Sequence, residues 1–201
     1  SVNRVVVTPY TESNPDISSV KNGILWDNFK DSNPSPLKFE QLPFQHPLYI
    51  MYSSGTTGLP KSIVHGAGGT LIQHLKELRL HSNIYQDDTI FYFTTCGWMM
   101  WNWLVSNLAI GAAIVLYDGS PVQPNSNAMW DMVDELEITH FGTSAKYIEA
   151  CRQKGLNPIK THSLESMRTI FSTGSPLVEE SFDYVYNHIK KEIQLASISG
   201  G

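Results

Sequence analysis

The chain has 201 residues, a formal net charge of −5 and a charged fraction of 16%, below the roughly 25% usual for soluble domains, while five tryptophans and eight phenylalanines point to much buried aromatic surface. The absence of any Lys/Arg-rich run argues against nucleic-acid binding driven by phosphate attraction. Cys96 and Cys151 fall in no C-x-x-C or metal-spaced pattern, and there is neither a charged-then-apolar leader nor an apolar run of about 18 residues, so a disulfide framework, a zinc site and a membrane span are all set aside and a reducing cytoplasm is the expected compartment.

Ser1 is not an initiator methionine, and Val5-Val6-Val7 reads as a strand already under way. Residues 1–47 read as one partial N-terminal segment: a strand over Arg4 to Thr8, a polar stretch with a short helix near Ile24 to Phe29, and the linker Asn33-Pro34-Ser35-Pro36. From Leu48 short apolar or β-branched runs alternate with longer periodic segments, the pattern of β–α units. Strands are expected near 48–52, 61–65, 89–94, 112–117, 138–142, 167–172 and 194–199. Between them, Leu71, Leu75 and Leu78 mark a helix over 70–81, Met129, Val133 and Leu136 one over 126–137, and Phe182, Val185, Tyr186 and Ile189 one over 178–191. Ser126 and Ser175-Pro176 stand where N-terminal caps belong. The fold class expected is α/β, a mostly parallel sheet flanked by helices, with 48–201 forming its ligand-binding portion.

The most informative stretch is Tyr52-Ser53-Ser54-Gly55-Thr56-Thr57-Gly58-Leu59-Pro60-Lys61, directly after the apolar run Leu48-Tyr49-Ile50-Met51. Glycines let a backbone approach a ligand closely, hydroxyls and successive N–H groups can converge on one anion, and a lysine adds a mobile positive charge. The spacing is not that of a Walker A loop. That motif needs glycine directly before the lysine and another five residues earlier; here Pro60 holds the first place and only Gly55 satisfies the second.

In open α/β sheets ligands gather beyond the carboxyl ends of the strands. Polar, small-residue clusters lie where those ends are expected: Thr94-Thr95-Cys96-Gly97-Trp98, Thr143-Ser144, Ser172-Thr173-Gly174-Ser175-Pro176 and Ser197-Ile198-Ser199-Gly200-Gly201. Their recurrence suggests one composite site, although turns favour such residues in any case. Seven histidines show no metal spacing. His65, closing the strand after the loop, reads as a polar structural residue, and His46, His74, His81, His140, His162 and His188 as surface or hydrogen-bonded core positions.

Taken together, Tyr52–Lys61, Gly97-Trp98 and Thr173–Pro176 resemble the adenylate-forming family of acyl-CoA synthetases, luciferases and peptide adenylation domains. The Gly97-Trp98-Met99-Met100-Trp101-Asn102-Trp103, Tyr117-Asp118-Gly119-Ser120-Pro121 and Ser197–Gly201 segments are similar to those of its acetoacetate-activating members. The resemblance covers most of 48–201. It implies part of the large N-terminal domain of an enzyme that joins a carboxylate to ATP as an acyl-adenylate and then transfers the acyl group to coenzyme A. Ser53, Ser54, Gly55, Thr56, Thr57, Gly58 and Lys61 would then grip the departing phosphates, with Thr57 and Lys61 closest to the chemistry. Gly174, Ser175, Pro176, Ser197, Ile198, Ser199 and Gly201 would line the nucleotide, and Trp98, Met99, Met100, Thr173 and Gly200 the acid. Lys146 is a candidate donor to a keto oxygen.

Three departures matter. Gly174-Ser175-Pro176 replaces the Gly-Glu-Pro of acetyl-CoA synthetases and removes a carboxyl; Gly200 replaces the tryptophan that closes the acetate pocket and leaves room for a longer acid; Thr95 stands where many relatives carry aspartate. The family's acidic Mg²⁺ ligand, ribose-binding aspartate and small C-terminal domain would follow Gly201, so these 201 residues alone are not expected to form an adenylate. An enzyme for butyrate or propionate, or a non-catalytic nucleotide-binding module, remains open at this stage.

Overall fold

The computed structural model describes residues 2–53 and 58–199; Ser54, Gly55, Thr56, Thr57, Gly200 and Gly201, all singled out above, lie outside the described residues. The chain divides into two units, one ending at Gln41 and the other beginning at Leu42. In the first, strand β1 (Val5–Val7) pairs in parallel with β2 (Gly23–Leu25), with Val6 opposite Ile24. A four-residue helix, α1 (Trp26–Phe29), follows directly. The expected strand and short helix are there, but β2 was not anticipated, because Gly23-Ile24-Leu25 is too short to show a period.

The second unit opens with a hairpin. Strand β3 (Pro47–Tyr52) runs antiparallel to β4 (Ser62–Gly66), with Tyr52 opposite Ser62. These two strands form a sheet of their own, whereas the alternating pattern had suggested one continuous series of β–α units. Helix α2 (Ala67–Lys76) continues into a wider turn over Glu77–His81, where the Ser82 N–H reaches back five residues to the Glu77 carbonyl at 2.9 Å.

The remaining strands are β5 (Thr89–Tyr92), β6 (Ala113–Val115), β7 (His140–Ser144), β8 (Thr169–Thr173) and β9 (Gln194–Ser197). They form a five-stranded sheet in the order β6-β5-β7-β8-β9, parallel throughout. The chain starts at β5, moves outward to β6, then returns to the other side of β5 and proceeds through β7, β8 and β9. Winding therefore reverses between β5 and β7, and the crevice beyond their carboxyl ends is where ligands bind in such sheets.

Alternation along the strands divides the core into two layers. Phe91, Phe141 and Ile170 face α4 (Ala128–Glu135), α5 (Ala145–Gln153) and α7 (Glu179–Tyr184), joining Met129, Trp130, Val133, Ile148 and Val185. Ile90, Tyr92 and Phe171 face the other way, onto Leu78, Trp103 and Leu104 from α2's extension and from α3 (Met99–Ser106). The short α6 (Pro158–Thr161) lies between α5 and β8.

Helix periodicity placed the helices better than it placed their faces. Leu78, Met129, Val133, Val185 and Ile189 are buried as expected, but Leu71 is 48% exposed and Leu136 and Tyr186 face outward; on α2 the buried position is His74. Two caps also differ. Asn127, not Ser126, precedes α4, and α7 starts at Glu179 after Val178, so Ser175 and Pro176 belong to the loop before it. Ser144 does cap α5: its Oγ accepts from the Tyr147 N–H at 3.2 Å, satisfying one of the orphan donors of the first turn.

Candidate functional site

The phosphate-type loop is the tip of the β3–β4 hairpin. Its mouth is closed by a reciprocal pair: the Ser53 N–H donates to the Lys61 carbonyl at 3.0 Å, and the Lys61 N–H donates to Ser53 Oγ at 3.3 Å. Two hydrogen-bonded strands thus hold the ends of Ser54–Pro60 together. Gly58 and Lys61 are exposed.

A cavity of about 840 Å³ lies against the α2–α3 face of the parallel sheet, within the ~300–1,000 Å³ range of ligand sites. Its walls come from the hairpin (Tyr49, Val64, His65), from α2 (Thr70, Gln73, His74), from the start of α3 (Trp98, Met99, Met100) and from the carboxyl ends of β8 and β9 (Thr173, Gly174, Ile198, Ser199). It therefore opens at the carboxyl ends of β8 and β9, on the side of the sheet covered by α2 and α3. A smaller cavity of about 380 Å³, between Leu116 and α4, contains none of the residues expected to hold phosphate, nucleotide or acid.

The cavity walls are braced by specific contacts. His74 is buried, and its Nδ1 lies 2.7 Å from Ser106 Oγ, whose own proton goes to the Asn102 carbonyl at 2.9 Å. The Ser106 oxygen must then accept, so His74 carries its proton on Nδ1. Burial holds the His74 imidazole below its usual range, and the neutral ring ties α2 to α3. Asn102 Nδ2 also reaches Met51 Sδ of β3 at 3.5 Å. Tyr49 and His65 pack ring against ring at 5.1 Å.

Gly174 has φ of +90°, a conformation that a side chain disfavours, and it turns the chain out of β8. Ser175 and Pro176 are exposed on that turn. The Leu177 N–H donates to Ser197 Oγ at 3.4 Å, and the Ile198 N–H to the Ser172 carbonyl at 2.9 Å, which fastens the turn to the end of β9. The structure thus brings Trp98, Met99, Met100, Thr173, Gly174, Ile198 and Ser199 to one cavity, with Ser197 behind the turn. Trp98 is 69% exposed, so the anticipated apolar wall begins as an open surface. Lys146 stands exposed in the first turn of α5, on the opposite face of the sheet, and does not line the cavity.

A family model described as AMP-binding enzyme matches residues 5–196. The chain belongs to the AMP-binding enzyme family. Among members of this family, the chain is similar to acetoacetyl-CoA synthetase of Gallus gallus, at 55% identity over 98% of the chain and 31% of the relative. It is similar also to acetoacetyl-coenzyme A synthetase of Rhizobium meliloti (strain 1021), at 54% identity over 98% of the chain and 30% of the relative. The solved acetoacetyl-CoA synthetase from Streptomyces lividans superposes with a TM-score of 0.85 at 41% identity, covering 98% of this chain and 30% of that one. The chain spans about 30% of the length of the relatives it matches.

Two residues behind the cavity wall were missed from the sequence. Tyr92, 3% exposed at the end of β5, has its hydroxyl 2.9 Å from Thr173 Oγ1. Gly142 lies between them on β7, paired with Tyr92, and a Cβ there would sit 2.1 Å from Tyr92 Cδ2. The lone glycine in the buried run His140-Phe141-Gly142-Thr143 was the available signal, since a glycine inside a strand often marks a close approach.

Proposed function

We propose that the full-length protein carrying this chain is an AMP-forming ligase that converts acetoacetate to acetoacetyl-CoA. The observation that carries the reading is the cavity itself: it opens at the carboxyl ends of β8 and β9, is walled by Trp98, Met99, Met100 and Thr173, and takes Tyr49, Val64 and His65 from the two strands whose connecting segment is rich in hydroxyls and glycine. High identity to relatives named as acetoacetyl-CoA synthetases supports the choice of acid. An acetoacetate oxygen attacks the α-phosphate of ATP, the bond to the β-phosphate breaks and pyrophosphate leaves. The coenzyme A thiol then attacks the acyl carbon, releasing AMP and forming the thioester.

In the first step charge builds on the departing phosphates. Ser53, Ser54, Thr56, Thr57 and the amides around Gly55 and Gly58 donate to these oxygens, and Lys61 neutralises them. One preorganised donor of this kind is worth about 2.7–4 kcal/mol in the transition state, so the hairpin tip matters more for adenylation than for thioester formation. Gly174, Ser175 and Pro176 line the adenine, with Ser197, Ile198, Ser199 and Gly201 alongside the nucleotide. Trp98, Met99, Met100, Thr173 and Gly200 surround the acid, the two methionines forming an adaptable apolar wall. Mg²⁺ would accompany ATP; among the described residues no group of three His, Cys, Asp or Glu side chains converges on a metal position.

Cys96 and Cys151 are both free thiols, in keeping with a cytoplasmic setting, and no helix among the described residues is long and apolar enough to cross a membrane. The test is pyrophosphate exchange by the full-length protein with acetate, propionate, butyrate and acetoacetate. Acetoacetate should give the highest kcat/KM. A higher value for butyrate or propionate would move the assignment to another short acid, and nucleotide binding without acid-dependent exchange would make the protein a binding module.

A further inference from the structure

We propose that Tyr92 is a positioning residue for acid selectivity: buried behind the cavity wall, it donates its hydroxyl proton to Thr173 Oγ1 and so turns the Thr173 proton toward the 3-keto oxygen of the bound acid. The inference rests on the acetoacetate reading above and assigns a role to a side chain that does not itself reach the ligand.

The geometry begins with strand register. Tyr92 is opposite Gly142, and Gly142 is opposite Phe171. Side chains at 92, 142, 171 and 173 therefore share the cavity face of the sheet. Residue 142 has no side chain, so the Tyr92 ring lies across β7 and its hydroxyl reaches β8. Trp103 packs edge-on against that ring, with centroids 6.0 Å apart, and also against Phe171 at 5.4 Å. The phenol is thus held from above by Trp103 and has the backbone of β7 below it.

The direction of the bond follows from satisfaction. Among the described residues, Thr173 Oγ1 is the one hydrogen-bond partner of the Tyr92 hydroxyl. Were Thr173 the donor, the phenolic proton of a residue only 3% exposed would have no acceptor, and an unmade bond of that kind is costly. Tyr92 therefore donates. Burial pushes its pKa up to about 12, so the phenol keeps that proton at any physiological pH. The Thr173 oxygen accepts, which leaves its own proton free on the cavity side, and a hydroxyl that accepts one hydrogen bond donates the next more strongly. Thr173 lines the cavity while Lys146 does not. A 3-keto oxygen is an acceptor for that proton; butyrate, of the same chain length, has none at carbon 3. Sites built to hydrogen-bond a substrate group discriminate most strongly against analogues that lack it.

The test compares kcat/KM for acetoacetate with kcat/KM for butyrate in the full-length protein. Tyr92→Phe keeps the ring over Gly142 and removes only the hydroxyl; the acetoacetate-to-butyrate ratio should fall about tenfold. Thr173→Val should lower it at least as much, Thr173→Ser should retain it, and Tyr92→Phe combined with Thr173→Val should be no worse than Thr173→Val alone. A ratio within twofold of wild type in Tyr92→Phe overturns the inference while leaving the acetoacetate reading intact, and so does a loss of preference in Lys146→Met that Tyr92→Phe does not share. If Tyr92→Phe does not fold, the threonine pair decides: a retained ratio in Thr173→Val overturns the inference, and a loss in Thr173→Val that Thr173→Ser restores supports it. A wild-type protein with no preference for acetoacetate removes the reading and the inference together.

Discussion

Gly142→Ala is the most demanding test of how the sheet is packed beneath the cavity. The added Cβ would lie 2.1 Å from Tyr92 Cδ2 and 2.4 Å from Cε2 and Cγ, against an ordinary contact of at least 3.4 Å. The ring must therefore retreat by about 3.4 − 2.1 = 1.3 Å, in a layer already closed by Trp103 and Phe171. Overpacking of this kind costs about 1–3 kcal/mol, and displacement of the Tyr92 hydroxyl from Thr173 adds about 1 kcal/mol, a total near 2–4 kcal/mol. Urea denaturation of the wild type, Gly142→Ala, Tyr92→Ala and the double variant measures it. Because the clash is with one ring, Gly142→Ala in the Tyr92→Ala background should cost less than about 1 kcal/mol, giving a coupling of at least about 1 kcal/mol between the two sites. Equal costs in both backgrounds, or no cost in either, would refute the packing argument.

Further outcomes are expected elsewhere in the fold. Lys190 donates to the carbonyls of Leu164 at 2.5 Å, Met167 at 2.7 Å and Glu165 at 3.0 Å, pinning a turn in which Leu164 holds a φ of +49°; Lys190→Met should destabilise by about 2–3 kcal/mol in thermal unfolding, and an unchanged midpoint would contradict this. Burial is the main cause holding His74 and His140 below the usual imidazole value of 6.5. The unfolded chain then binds protons that the folded one refuses. Stability should be full above pH 6.5 and fall as pH drops below it, by up to about 1.4 kcal/mol per pH unit for each histidine. A flat unfolding midpoint between pH 7 and 5 would rule this out. Gly174→Ala meets no atom within 4 Å, so its cost is backbone strain alone, about 1–2 kcal/mol at φ of +90°; KM for ATP should rise in the full-length protein, and an unaltered KM would count against the adenine role of this turn.

What could be read from the sequence was largely local. The runs at 89–94, 138–142 and 167–172 are dominated by apolar and β-branched residues because both faces of these parallel strands are covered, and each, like the more polar run at 194–199 that forms the edge, became a strand of the sheet. The Ser/Thr/Gly cluster stood out because few other roles demand six such residues in a row. Pairing was less legible. Ser62–Gly66 looks like the other strands, yet it folds back on Pro47–Tyr52, a partnership decided by the intervening loop rather than by either strand's composition. Helix faces shifted where a polar residue carried the burial: His74 is buried because Ser106 meets it from α3, and no period in 70–81 reveals that. Tyr92 and Thr173 are separated by 81 residues, and only the order β5-β7-β8, with a glycine in the middle strand, brings them together.

The most direct test of the account is a crystal structure of the full-length protein bound to a sulfamoyl analogue of acetoacetyl-adenylate. The acyl chain should lie among Trp98, Met99, Met100 and Thr173, with its keto oxygen within hydrogen-bond distance of Thr173 Oγ1 and its adenine beside Gly174-Ser175-Pro176. An acyl group bound elsewhere, with this cavity filled only by other parts of the protein, would contradict the account.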